Sequence, residues 1–230
     1  MFCICFRGFS QDYIDSSTYY HNLGVEVLLK GNPQLALISL NKANSLNPNN
    51  EFTLYNMGVC YHELKDYKKA LRFYKKANKL DPGYLSAVNG IAKSYQALGK
   101  QKQAKKYYLK EIYSSANNWE TLYNIGLIYY EEKNYVEANV YFSKANSLNP
   151  TENKVLVYLG NIRYTYKEYD KALYLFNEAL TNDNMYVMAI YNSGLCYLAM
   201  GDVNQACLKF KEAESLGYKI EDKINKLCKK

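Results

Sequence analysis

Apolar residues recur along this chain with helical spacing, in paired segments separated by short polar breaks. Leu54, Met57 and Tyr61 lie three and four residues apart, and after a break at Lys65-Asp66 the pattern resumes at Ala70, Tyr74 and Ala77. This spacing predicts two amphipathic helices, because a period near 3.6 residues places those side chains on one face. Pro82 stops the second helix, since it lacks the backbone N–H a helix interior needs. Elsewhere the turn between the two helices is marked by Gly31-Asn-Pro33 or by Gly99-Lys100.

The helix pair is itself repeated. Leu54-Tyr-Asn-Met-Gly-Val-Cys-Tyr61 returns as Leu122-Tyr-Asn-Ile-Gly-Leu-Ile-Tyr129 and again as Ile190-Tyr-Asn-Ser-Gly-Leu-Cys-Tyr197, each time after 68 residues, twice 34. Lys42-Ala-Asn-Ser-Leu-Asn-Pro48, Lys76-Ala-Asn-Lys-Leu-Asp-Pro82 and Lys144-Ala-Asn-Ser-Leu-Asn-Pro150 keep the same phase. A period of this length signals a solenoid, in which each unit buries its apolar face only against its neighbours. Six units without insertion or deletion run over 17–50, 51–84, 85–118, 119–152, 153–186 and 187–220.

Small residues hold fixed places in this frame. Gly24, Gly58, Ala92, Gly126, Gly160 and Gly194 share one position in the first helix; Ala36, Ala70, Ala104, Ala138, Ala172 and Ala206 share one in the second. Glycine costs a helix interior about 1 kcal/mol relative to alanine, so five glycines at one position need a reason. Close crossing of two antiparallel helices supplies one. With large–Leu–Gly–Tyr in the first helix, Ala–aromatic–Ala in the second and a following Pro, the pattern resembles the tetratricopeptide repeat. Repeats 2 and 4 match it best. Repeat 1 has Val27 and Leu40 where an aromatic is usual. Repeat 3 departs most, with Ala92, Glu111 and Ala116 at signature positions, and repeat 5 has Arg163 for the usual Tyr.

The resemblance implies an all-α, right-handed α-solenoid of six tandem repeats. Ile220, Ile224 and Leu227 follow at helical spacing among charged residues and predict a C-terminal capping helix over 221–230. The segment 1–16 is expected to be poorly ordered, or to fold Phe2, Phe6, Phe9, Tyr13 and Ile14 over repeat 1.

It also implies a role: a non-catalytic protein–protein interaction scaffold, with an extended peptide or a partner helix held in a concave groove lined by the first helices. Asn22, Asn56, Asn124 and Asn192 recur at one groove position, with Asn89 one residue early in repeat 3 and Tyr158 replacing the amide in repeat 5. An amide offers both donors and an acceptor, so such a row resembles the asparagine ladder of O-linked N-acetylglucosamine transferases. It serves equally for bonds to a neighbouring helix, and both readings stand. The carboxylate clamp of chaperone-binding repeats is a partial match: Asn124 and Lys154 fall on its pattern, Asn89 and Lys93 are swapped, and Tyr158 stands where Arg is expected. Glu120 and Glu131 nearby would repel a terminal carboxylate. A third possibility is a recruiting module detached from a larger enzyme such as a glycosyltransferase.

Charge changes this picture in one place. Residues 51–118 hold 13 Lys/Arg against 5 Asp/Glu, a net of +8, while the whole chain is +7. The excess lies on second helices, with Lys68, Lys69, Arg72, Lys75, Lys76 and Lys79 in one and Lys102, Lys105, Lys106 and Lys110 in the next. This convex basic face is either a solvated charged surface or one that fits an acidic partner or an anionic membrane surface. Nucleic acid is not expected, because the tyrosines occupy core positions instead of an exposed stacking platform.

No catalytic residue, metal ligand set or cofactor motif emerges. His62-Glu63 lacks the second His of a zinc helix, and no Gly-rich phosphate loop is present. Cys3, Cys5, Cys60, Cys196, Cys207 and Cys228 show no paired metal-ligand spacing. Cys60 and Cys196 sit within apolar helical patterns as small hydrophobes, so reduced thiols and a cytoplasmic location are expected. Cys3 and Cys5 are candidate acylation sites. The apolar stretch 2–6 is too short for a membrane span or a signal-peptide core.

Overall fold

The computed structural model describes residues 15–115 and 117–228. Among these it contains thirteen α-helices and no strand. Twelve form six antiparallel pairs: α1 (Ser16–Leu29) with α2 (Pro33–Leu46), α3 (Glu51–Glu63) with α4 (Tyr67–Leu80), α5 (Leu85–Ala97) with α6 (Gln101–Ser114), α7 (Trp119–Glu131) with α8 (Tyr135–Leu148), α9 (Asn153–Thr165) with α10 (Tyr169–Asn182), and α11 (Val187–Ala199) with α12 (Val203–Ser215). A short α13 (Asp222–Leu227) follows. The chain forms two compact units, Met1–Ser114 and Ser115–Lys230, each containing three pairs. Residues 1–14, with Cys3, Cys5 and the aromatics expected to fold over repeat 1, lie outside the described residues.

Local chemistry fixes where the helices begin and end. Asn50 accepts the Thr53 N–H at 2.8 Å, Asn118 that of Thr121 at 3.2 Å, Asp66 that of Lys69 at 3.1 Å and Asp202 that of Gln205 at 3.0 Å. Each satisfies one of the orphan donors of a first turn. The turn inside every pair uses one left-handed residue at the same register: Gly31, Lys65, Gly99, Lys133, Lys167 and Gly201 all have φ between 58° and 86°. The next N–H then bonds back to the first helix, as from Asp66 to the Tyr61 carbonyl and from Glu168 to that of Arg163, both at 2.9 Å.

Three of these sites place Lys in a conformation that disfavours any Cβ by roughly 1–2 kcal/mol. Glycine's larger unfolded-state entropy returns about 0.4–1 kcal/mol of that. The combined Lys65→Gly, Lys133→Gly and Lys167→Gly chain is therefore expected to gain about 1–3 kcal/mol. A rise in the urea midpoint at unchanged slope checks this; a fall would contradict it.

The recurrent helix glycines have a more specific cause than backbone crossing. A Cβ on Gly58 would lie 2.6 Å from the Tyr74 ring, one on Gly126 2.7 Å from Phe142 and one on Gly194 2.7 Å from Phe210, and one on Gly160 would run into Phe176. Each glycine accommodates the flat ring of its own repeat's second helix, sixteen residues on. Gly24 does the same for Leu40. Repeat 3 solves the problem differently: a Cβ on Gly90 would lie 2.7 Å from the Tyr74 ring of the preceding repeat, while Ala92 and Tyr108 are fully buried. Tyr108 donates its hydroxyl to Gln96 at 2.7 Å, so the buried phenol is satisfied.

Repeat 3 also buries a carboxylate. Glu111 is 4% exposed at the position filled by Ala43, Ala77, Ala145, Ala179 and Ala213 elsewhere. Asn89 donates to its Oε2 at 2.7 Å from the facing α5, where repeats 2, 4 and 6 carry Tyr55, Tyr123 and Tyr191. The two exceptions are matched, because a buried acid needs a donor.

At the far end, Ile220 and Ile224 are 4% and 7% exposed and pack with Ile190, Phe210 and Ala213 over repeat 6. One expectation needs correction. Ile220 lies just before α13, and Leu227, expected on the apolar side of the cap, is 37% exposed, because a six-residue helix does not bring a third apolar position under the repeat. Cys207 of α12 and Cys228 are joined by a disulfide with Cα atoms 5.3 Å apart. This overturns the expectation that these two thiols stay reduced: the returning chain brings together two cysteines that are 21 residues apart. Cys60 and Cys196 are free and fully buried. Burial pushes their thiols up to about 11 and about 12, so they are poor nucleophiles.

Candidate functional site

Within each unit the first helices of neighbouring repeats touch one another: α1 meets α3, α3 meets α5, and α9 meets α11. Second helices make no comparable contact among the described residues. The first helices therefore form the inner side of each curved stack, and their outward-pointing residues constitute the candidate binding face.

In the first unit this face carries Asn22, Asn56, Asn89 and Lys93. Asn22 is exposed on α1 and lines a shallow depression of ≈ 320 Å³ with Tyr19, Leu23 and Glu26. Asn56 is half-buried on α3. Asn89 is committed to Glu111, as described above. Lys93 lies close enough to His62 to act on it. Burial first, and then Lys93, holds that imidazole below its ordinary range, against an opposing pull from Glu63. His21 is likewise lowered by burial, and its Nδ1 lies 2.9 Å from the Thr53 hydroxyl.

The second unit presents a different surface. Tyr158 of α9 stacks on Phe142 with centroids 5.2 Å apart and an interplanar angle of 18°. It meets Tyr123 and Tyr130 edge-on at 5.9 and 5.2 Å. Phe142 is fully buried while the three tyrosines are half-buried, so a core ring props up an aromatic patch on the inner face. The Tyr123 and Tyr130 phenols are protonated donors at neutral pH like any tyrosine, and burial pushes them further up. Lys154 sits 5.8 Å from both the Trp119 and Tyr123 ring centroids and 3.6 Å from Glu152. Its side chain remains 51% exposed, so the ammonium is held over the aromatics yet open to a ligand. Asn124 is half-buried on α7 beside Tyr123.

The amide row is not uniform. Asn192 is 8% exposed and donates to Asn161 Oδ1 of the preceding repeat at 2.8 Å. Here the amide serves helix–helix bonding, one of the two roles open to it. Arg163, which breaks the repeat pattern, donates to Glu168 Oε2 at 3.1 Å across its own turn. The Tyr123–Tyr130–Tyr158 patch and the Asn192–Asn161 bond escaped sequence reading, because both join residues from neighbouring repeats. The Asn-to-Tyr exchange at 158 was the signal for the first.

Four segments match tetratricopeptide repeat family models: 52–84, 85–118, 119–152 and 188–214, together more than half of the chain. No curated protein matches its sequence. Solved structures do share its fold. PilF of Pseudomonas aeruginosa aligns with a TM-score of 0.78 at 19% identity, over 92% of this chain and 96% of its own. YrrB, described as a TPR protein with an unusual peptide-binding site, aligns at 0.67 and 22% identity, over 82% and 95%. MamA from Desulfovibrio magneticus RS-1 aligns at 0.68 and 23%, over 75% and 97%. The phased helix pairs, the glycine–ring contacts and these matches lead to one assignment: the chain belongs to the tetratricopeptide repeat family.

Proposed function

We infer that this protein is a non-catalytic scaffold that holds an extended segment of another protein against the inner faces of its first helices. The observation that carries this reading is the patch of Tyr123, Tyr130 and Tyr158 with Trp119 and Lys154. Half-buried rings supply contact area at low entropic cost, and the phenols, the Asn124 amide and the Lys154 ammonium supply polar contacts. Such a mixture suits a peptide with an apolar or aromatic anchor and a nearby carboxylate. The chaperone-type carboxylate clamp has less support, since Tyr158 is stacked into the patch where the clamp needs Arg, and Asn89 is spent on Glu111.

Panning a random peptide library on the intact chain tests the reading. Selected peptides should bind with micromolar affinity, and Lys154→Ala with Tyr158→Ala should weaken them by about 10-fold or more. Failure to select any peptide, or equal affinity for that double variant with helicity intact, would contradict it.

A further inference from the structure

We propose that α4 and α6 form a second, independent docking surface whose partner is an anionic phospholipid bilayer. The six cations of α4 and four of α6 lie on helices that both pack against α5 within one unit, and all but the half-buried Lys105 are exposed. Neither helix carries an exposed acid: α4 has none, and the one acid of α6 is Glu111, which is buried. Other second helices mix charges within the helix, as α12 does with Lys209 and Glu212 at 2.8 Å, whereas the acid paired on α4 is its N-cap, Asp66, which lies 2.8 Å from Lys69 and leaves the other five cations of that helix to face outward. A single-sign surface built on two helices, each about 21 Å long, calls for an anionic partner.

Three features favour a bilayer over other polyanions. First, nine of the ten cations are Lys, point charges that suit a diffuse field better than the bidentate geometry Arg brings to nucleic acid. Second, the exposed cations lie on the sides of α4 and α6 that are turned away from the first helices α3 and α5 on which they pack. Third, Leu80 (42% exposed), Leu109 (36%) and Tyr113 (97%) stand on the C-terminal halves of the same two helices. Apolar and tyrosyl side chains beside lysines match the interfacial zone of a membrane. Several cations are already held in place: Lys75 lies 5.1 Å from the Tyr95 centroid, and Arg72 and Lys76 lie 5.2 and 5.5 Å from that of Phe73.

Co-sedimentation of the full chain with vesicles tests the proposal. Vesicles of phosphatidylcholine with about 30% phosphatidylserine should retain the protein at about 0.1 M salt, and pure phosphatidylcholine should not. Each lysine near the surface accounts for about fivefold in partitioning, so Lys68→Gln, Lys75→Gln, Lys79→Gln and Lys106→Gln together should lower it by about 100-fold or more. Tyr113→Ser should weaken vesicle binding while leaving poly-glutamate binding unchanged. Equal sedimentation with neutral vesicles, retention by the four-lysine variant, or tighter binding of poly-uridine RNA or poly-glutamate than of vesicles would overturn it. The library-selected groove peptide should bind equally well with and without vesicles, and competition between them would also overturn the independence claimed here.

Discussion

Replacing Phe142 by Ala is expected to destabilise the second unit by about 3–5 kcal/mol, the range for deleting a fully buried aromatic ring. The ring is 0% exposed and lies against Gly126, where a Cβ would approach it to 2.7 Å. On its other sides it touches Tyr123 at 5.7 Å and stacks under Tyr158. Gly126 cannot fill the void, because it has no side chain to relax into it. The same substitution removes the support of the aromatic patch, so peptide affinity should fall along with stability. Tyr158→Ala provides the contrast: a half-buried ring, whose loss should weaken binding far more than folding. Urea unfolding of the two variants, followed by circular dichroism, separates the effects. A loss below about 1 kcal/mol for Phe142→Ala would mean the core is not packed as described.

Reduction of the Cys207–Cys228 bond is the second large effect. A cross-link between residues 21 apart restricts the unfolded chain by about 3 kcal/mol in the loop-entropy treatment. The stabilisation should be felt at the C-terminal cap, where Ile220 and, in α13, Ile224 pack with Ile190 and Phe210. Adding a reductant should therefore lower the melting temperature and speed hydrogen exchange in α13, and Cys228→Ser should show the lowered value with or without reductant. Cys60 and Cys196 should stay unalkylated in the folded protein, since both are fully buried with raised thiols. A melting temperature indifferent to reductant would contradict the account.

Much of the fold is legible in the sequence, because a solenoid repeats its own solution. The 34-residue displacement places successive first helices at Glu51, Leu85, Trp119, Asn153 and Val187. Even the left-handed turns could be read, since Gly31, Gly99 and Gly201 share a register with Lys65, Lys133 and Lys167. The fixed glycines signalled close packing, though spacing alone could not distinguish an approaching backbone from a ring such as Phe176. Repeat 3 shows paired exceptions, Asn89 for Tyr and Glu111 for Ala, that become intelligible only when a 2.7 Å hydrogen bond joins them.

The site was less legible for a physical reason. Periodicity reports which positions face inward, whereas partner choice depends on contacts between repeats. The recurrent Asn of repeat 6 looks identical to those of repeats 2 and 4 in sequence, yet Asn192 is tied to Asn161. The disulfide depends on the cap returning to α12, which no 34-residue register specifies.

The most direct test of the scaffold reading is chemical-shift mapping of the isotope-labelled chain with its tightest selected peptide. The account predicts that perturbed amides cluster at Trp119, Tyr123, Asn124, Tyr130, Lys154 and Tyr158. Clustering on the second helices α8 and α10, with the first helices undisturbed, would contradict it.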